Sequence, residues 1–172
     1  MVRFMVLSAP RSASTWCSNW LTTEKTLCVH DPVLQFEPEE LDRFPCDRDF
    51  GFACTGMAHY RDWIRSHPAR KLIVHRARAE IDESLLSIGL TPLRSSWDGV
   101  LEDIHGMHVD WRNLFDPMTA SEIYTYLTGL PFDAARHGLL VDMYIQPQFD
   151  RVHVKADAAK AFAQRVRQAL AS

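Results

Sequence analysis

The sequence lacks the glycine-rich phosphate loop of ATP-binding proteins and the paired cysteines of secreted domains. The pattern G-x-x-x-x-G-K-[ST] needs a glycine and a lysine that the segment SAPRSAST does not have. The four cysteines, at positions 17, 28, 46 and 54, show no C-x-x-C spacing. Few and unpaired cysteines exclude a disulfide-stapled secreted scaffold and favour reduced thiols, so we expect a cytoplasmic protein.

An excess of positive charge and a long apolar run are missing as well. The formal net charge is -3 and the sequence pI is about 6.2, which removes the basic field that nucleic-acid binding requires. No stretch approaches the roughly 18 apolar residues of a membrane span. The apolar run Phe4–Leu7 is too short for the core of a signal peptide. We therefore expect neither a nucleic-acid nor a membrane partner, and the oligomeric state stays open.

The chain is long and apolar enough for one packed core. With 172 residues and 47% hydrophobic residues, we expect a single domain over residues 1–172. Short β-rich runs alternate with helical periods, which predicts an α/β fold with a central, mostly parallel sheet of about five strands. The predicted strands are Arg3–Ser8, Thr26–His30, Phe50–Thr55, Lys71–His75 and, with the weakest pattern, Arg151–Val154.

Helical periodicity and capping signals place the helices between and after these strands. Thr119 and Glu122 have the spacing of a capping box, and Asp133 is suited to cap the next helix. The predicted helices are Ala13–Thr23, Ala58–Ser66, Ala77–Ile88, Thr119–Leu127, a helix from Asp133 toward Ile145, and Asp157–Leu170.

The stretch FMVLSAPRSASTW places an arginine among hydroxyl residues just after a predicted strand. It predicts a strand, a turn at Pro10 and then a helix, whose first backbone N–H groups form an anion site. Arg11 adds a planar guanidinium suited to phosphate or sulfate oxygens. The alternative is that the Ser and Thr residues only cap an ordinary helix.

The heptapeptide PRSASTW resembles the 5′-phosphosulfate loop of the sulfotransferase family, P-[KR]-S-G-[ST]-T-W. Ala13 stands where the family prefers glycine. The resemblance implies a P-loop-like three-layer fold and a donor site. The loop residues that it assigns to the donor are Arg11, Ser12, Ala13, Ser14, Thr15 and Trp16.

A second segment, 71–90, is similar to the 3′-phosphate segment of the same family. There a strand ends in an arginine, and a serine follows eight residues later, as Arg76 and Ser84 do here. The serine would lie about two helical turns along, so both side chains can face one phosphate. Segment 108–133 resembles a later strand-and-helix region of the family. Ala77 and Arg78 depart from the family's common Asp-Pro.

The resemblance implies that the donor is 3′-phosphoadenosine 5′-phosphosulfate (PAPS) and that the product is 3′-phosphoadenosine 5′-phosphate (PAP). The reaction would transfer a sulfuryl group to a hydroxyl or amine of a small-molecule or carbohydrate acceptor. Arg11 would stabilise charge on the leaving oxygen, much as in phosphoryl transfer. No metal is expected.

The reaction also needs a base. Carbohydrate-type members place a glutamate after the second strand, and the segment VHDP is similar, with Asp31 substituted. We therefore expect Asp31 to be the base, followed by His30 and His59, while Asp31 as a plain turn residue before proline stays open.

Two other functions stay open. A small nucleotide kinase or NTPase is disfavoured because the phosphate-loop lysine is missing, and because KLIVHR ends in arginine where a magnesium-binding aspartate is wanted. A non-catalytic nucleotide-binding module is the other alternative. It is kept open by Ala13 and by the missing Asp-Pro.

Overall fold

The computed structural model describes residues 1–92 and 99–143, which form an α/β fold around one five-stranded sheet. All strand pairs are parallel, and the strand order is β2-β3-β1-β4-β5. The strands are β1 (Phe4–Ser8), β2 (Thr26–His30), β3 (Asp49–Cys54), β4 (Arg70–His75) and β5 (Met107–Asp110).

The central strand β1 is buried along its whole length. Its Val6 pairs with Ala53 on one side and with Leu72 on the other. A parallel strand covered on both faces needs a continuous apolar run rather than an alternating one. The run FMVLS meets that need, which is why it lies in the middle of the sheet.

Helices cover both faces of the sheet and complete the three layers. The helices are α1 (Ser14–Trp20), α2 (Pro38–Asp42), α3 (Arg61–Ser66), α4 (Arg78–Ser87), α5 (Pro117–Thr128) and α6 (Ala134–Asp142). Apolar residues of α1, α5 and α6 pack with Phe4 and Val6 on one face, and those of α2, α3 and α4 pack with Met5 and Leu7 on the other. The predicted P-loop-like α/β class is thus confirmed.

The predicted strand set needs one addition. The run Arg151–Val154 lies outside the described residues, as does the predicted helix Asp157–Leu170. The fifth strand that the structure describes is β5, paired with β4 through Val74 and Val109. The resemblance of segment 108–133 implies a strand near here, but the hydrophobic pattern did not predict it, because β5 has only four residues, of which Val109 alone is buried. An edge strand with polar neighbours gives little periodic signal.

Helix starts show where local capping differs from the expectation. The predicted capping box at Thr119 is wrong, because Asp116 is the N-cap and its carboxylate accepts from Thr119 N at 2.8 Å. Pro117 follows at the first helical position, which favours this earlier start. The Asp133 cap is confirmed by its hydrogen bond from Arg136 N at 2.9 Å.

Parallel pairing gathers the carboxyl ends of the strands at one edge of the sheet. The helix after β1 lies on one face, and the helices after its neighbours β3 and β4 lie on the other. A crevice where successive connections diverge in this way is the usual ligand position in such sheets. The loop 9–13 that follows β1 lies at this point. Within the described ranges, no helix is long and apolar enough to cross a membrane.

Candidate functional site

The loop 9–13 has an unusual backbone for its residue types. Arg11 has φ 64° and Ala13 has φ 66° and ψ 19°, both in the left-handed region. For a residue with a Cβ this conformation costs roughly 1 to 2 kcal/mol. Glycine avoids that cost, so the geometry at Ala13 accounts for the glycine of the motif that the loop resembles.

The hydroxyls beside this loop do not cap helix α1. Ala13 is the N-cap, and no side-chain capping hydrogen bond is made there, so the interpretation of these residues as ordinary caps is wrong. Ser14 Oγ and Thr15 Oγ1 instead lie 3.0 and 3.2 Å from His30 Nε2. Ser12 is fully buried, with its hydroxyl 3.5 Å from the Pro10 carbonyl oxygen. Two hydroxyls therefore converge with one imidazole at the sheet edge.

Two segments distant in sequence meet at the loop. Arg11 donates from Nε to Ser84 Oγ at 3.0 Å, and Arg76 donates to the Arg11 carbonyl oxygen. The left-handed backbone of Arg11 is part of this arrangement, in which its carbonyl faces Arg76 and its side chain reaches α4. The two segments predicted to bind the 5′ and 3′ phosphates therefore lie together. Ser84, which was predicted to face the 3′-phosphate with Arg76, contacts Arg11.

Arg76 lies in a partly desolvated setting. Its guanidinium carbon is 4.2 Å from the centroid of the Trp111 ring, a cation–π distance. Its side chain is 15% exposed, and the buried Nε has no hydrogen-bond partner. Burial lowers the pKa of Arg76 from its ordinary value, and the carboxylate of Glu80 opposes that shift. Arg76 is thus a cation with donor capacity that the described residues do not fill.

Glu80 organises the groups around Arg76 and was missed by the sequence analysis. Its carboxylate accepts from Trp111 Nε1 at 2.9 Å and from Arg112, and it lies 3.4 Å from Arg76 Nε. The hydrogen bonds from Arg112 and Trp111 hold the pKa of Glu80 below its ordinary value. The i, i+4 spacing from Arg76 is the signal that could have indicated this ion pair.

Asp31 is fixed by β3 rather than free in the crevice. Its Oδ1 accepts from Thr55 N at 2.6 Å and from Thr55 Oγ1 at 3.2 Å, and its Oδ2 lies 3.4 Å from His30 Nε2. Its backbone is also left-handed, with φ 44°. Thr55 was not predicted to belong to the site, and its contact depends on β2 lying beside β3.

A nearby thiol belongs to the protein interior. Burial, together with the negative charge of Asp31, raises the pKa of Cys54 to about 12. The side chain is therefore a neutral thiol at physiological pH. The thiolate is the reactive form of cysteine, so Cys54 has a packing role beside Asp31.

Two predicted residues lie apart from this cluster. His59 is exposed on the single-turn 3₁₀ helix Met57–Tyr60, and no hydrogen bond joins it to His30 or Asp31 among the described residues. Trp16 is 4% exposed and donates to the Leu140 carbonyl oxygen at 3.1 Å. Its ring lies in the core beneath the loop.

Within the described ranges, no group of three or more His, Cys, Asp or Glu side chains is arranged to hold a metal ion. The side chains gathered at the crevice are the cations Arg11 and Arg76 with the Glu80 carboxylate, the hydroxyls of Ser14 and Thr15, and the pair His30 and Asp31. Comparison with known proteins found no matching family model, no matching curated protein and no matching solved structure.

Proposed function

We propose that this protein binds PAPS and transfers its sulfuryl group to a hydroxyl or amine acceptor. The observation that carries the proposal is the contact between two separate motifs. Arg11 of the loop bonds to Ser84, and Arg76 bonds back to the carbonyl oxygen of Arg11. A donor with anionic groups at its 5′ and 3′ positions calls for two such cationic points close together.

The loop side supplies donors for the 5′-phosphosulfate. Ser14 and Thr15 have hydroxyls directed to the crevice, where they meet His30, and Arg11 supplies positive charge. In the transfer, the acceptor oxygen or nitrogen forms a bond to sulfur while the bond from sulfur to the bridging oxygen breaks. Negative charge then builds on the leaving phosphate oxygen, where preorganised donors lower the barrier.

The acceptor must also lose a proton. The pair His30 and Asp31 lies at the carboxyl ends of the strands, at the same edge of the sheet as the loop 9–13, and we infer that it receives this proton. His30 Nε2 lies 3.0 Å from Ser14 Oγ, one hydroxyl away from the proposed sulfate position. Asp31, bonded to Thr55, lies 3.4 Å from the same nitrogen, so a proton received at Nε2 would be stabilised by the Asp31 carboxylate. The two groups therefore act as one unit, in which Asp31 stabilises the protonated His30 or takes the proton itself.

Transfer is tested directly with a ³⁵S-labelled donor. The protein is incubated with labelled PAPS and pools of hydroxyl and amine compounds, and the label is followed into acceptor and into free sulfate. We expect label transfer that is lost in Arg11→Ala. A protein that binds PAP tightly but moves no label would contradict the transfer step and leave the binding site standing.

A nucleotide-binding module without transfer is the second candidate, and one observation favours it. The Asp31 carboxylate already accepts from both the backbone and the hydroxyl of Thr55, so fewer lone pairs are left for a substrate proton. Such a module would bind PAP with the same preference for the 3′-phosphate. The labelled-donor experiment separates it from the enzyme.

A further inference from the structure

The carboxylate of Glu80 accepts hydrogen bonds from two side chains and lies close to a third. Oε1 accepts from Arg112, while Oε2 accepts from Trp111 Nε1 and lies 3.4 Å from Arg76 Nε. Arg112 has a second carboxylate, Asp110, at 3.4 Å. For Arg76, the structure describes no acidic contact other than Glu80 within residues 1–92 and 99–143.

The contact between Glu80 and Arg76 is an incomplete one. The Nε of Arg76 is buried and lacks a hydrogen bond, although the Glu80 oxygen is close. Trp111 covers one face of the guanidinium, and the Arg11 carbonyl takes one terminal nitrogen. Neutral groups thus hold Arg76 in position, and the Glu80 carboxylate balances its positive charge only in part.

We propose that Glu80 limits how strongly the Arg76 subsite selects for a 3′-phosphate, because it competes with that phosphate for the guanidinium. This inference rests on the proposed function, since it takes Arg76 as the 3′-phosphate contact. A phosphate monoester carries up to two negative charges and three acceptor oxygens. It therefore outcompetes the carboxylate of Glu80, which also bonds to Trp111 and Arg112 and makes no hydrogen bond to Arg76 Nε. A ligand with only a 3′-hydroxyl leaves the Glu80 contact as it is.

The competition has a consequence for product release. A carboxylate beside the subsite repels a bound phosphate, and Glu80 can return to Arg76 as the phosphate leaves. The site then binds 3′-phosphorylated nucleotides more weakly than its arginines alone would allow. Removing the charge of Glu80 should therefore tighten binding, whereas most changes in a binding site weaken it.

The test is isothermal titration of PAP and of adenosine 5′-phosphate against wild type, Glu80→Gln and Glu80→Asp. Gln has nearly the shape of Glu, and its amide oxygen can still accept from Trp111 Nε1, while its amide nitrogen takes the place of Oε1 beside Arg112. The melting temperature of each variant is therefore measured first, to show that the fold is retained. We expect Glu80→Gln to bind PAP about tenfold more tightly, with adenosine 5′-phosphate unchanged. Glu80→Asp keeps the charge and should bind PAP within about threefold of wild type. Glu83→Gln makes the same charge change at an exposed position of α4 and should have no effect.

The two proposals fail in different ways. Wild type that prefers PAP, together with Glu80→Gln that binds it equally or more weakly, overturns the role of Glu80 and leaves the proposed function standing. Tightening by Glu83→Gln as well would show a general charge effect and also overturn it. Wild type that binds PAP no better than adenosine 5′-phosphate overturns the proposed function, and the role of Glu80 with it.

Discussion

The Nε–H of Arg11 donates to the hydroxyl of Ser84 at 3.0 Å, although the two residues lie 73 positions apart. Arg76 donates in turn to the Arg11 carbonyl oxygen. The pair of contacts cross-links the loop after β1 to Arg76, just after β4, and to the second half of helix α4. The side chains that would receive an anion are therefore already held near one another, which lowers the ordering cost of binding.

Arg76→Ala is expected to weaken the binding of the donor's 3′ end much more than that of its 5′ end. It removes charged hydrogen bonds worth about 1.5 to 3 kcal/mol, so PAP should bind about 10 to 150 times more weakly. Adenosine 5′-phosphosulfate, which lacks the 3′-phosphate, should lose much less, because only the contact to the Arg11 carbonyl changes. Titration calorimetry with both ligands measures the split, and Arg78→Ala is the control. Equal losses for both ligands would show that Arg76 has a purely structural role.

His30→Gln and Asp31→Asn are expected to be non-additive. Both residues meet at His30 Nε2, and each change should lower transfer by about 100- to 10,000-fold with little change in PAP affinity. Since groups that act as a unit cannot be lost twice, the double variant should be no slower than the slower single variant. His59→Gln is the control with near wild-type turnover. If the double variant lost transfer rate by the product of the two single losses, the two residues would have independent roles.

Ala13 tests the strain of the loop. Ala13→Gly relieves a left-handed alanine but frees the unfolded chain and removes a buried methyl group, so the net change should stay within about 1 kcal/mol. Ala13→Val adds a β-branched side chain at φ 66° and should destabilise by about 1 to 3 kcal/mol or more. Urea unfolding followed by circular dichroism compares both with wild type. A valine variant as stable as wild type would contradict the left-handed geometry.

Asp42 links stability to acid pH at the opposite edge of the sheet. Partial burial acts to raise its pKa, but hydrogen bonds from Val2 N and His67 outweigh it and lower the pKa. A lowered folded-state pKa contributes stability above the unfolded value of about 3.9 and loses it as pH falls through the folded value.

Urea midpoints between pH 6 and pH 2 measure this contribution. We expect the midpoint of Asp42→Asn to fall less steeply below about pH 4 than that of wild type. Asp47→Asn, at a side chain 97% exposed, should follow the wild-type curve. Parallel curves for Asp42→Asn and wild type would show that Asp42 does not contribute to the pH dependence of stability.

The sequence predicted the part of the fold that depends on continuous apolar runs. Strands β1 to β4 were located to within one residue at each end, because FMVLS and KLIVH are buried on both faces and stop at polar residues. Strand β5 could not be found in this way, since an exposed edge strand of four residues has no such run. The cap at Asp116 was missed because Thr119 offered a competing local signal.

The site was predictable only where its functional residues lie close to one another in the sequence. The loop 9–13 was recognisable from its residues, and Arg76 and Ser84 from their spacing. Thr55 and Trp111 enter through strand order, which places the ends of β3 and β5 beside those of β2 and β4. Neither residue has a local pattern. Contacts made across a sheet are therefore the part that the sequence alone did not reveal.

We propose that the crevice selects a 3′-phosphorylated adenosine nucleotide, and thermal stabilisation by a series of nucleotides is the simplest test of this selection. A ligand at about 100 times its dissociation constant stabilises the fold by roughly 2.7 kcal/mol, which raises the melting temperature by several degrees in a domain of this size. We predict that PAP raises the melting temperature more than AMP, ADP or ATP with magnesium, and that Arg11→Ala abolishes the difference. Equal or greater stabilisation by ATP with magnesium would contradict this selectivity and favour a nucleotide kinase.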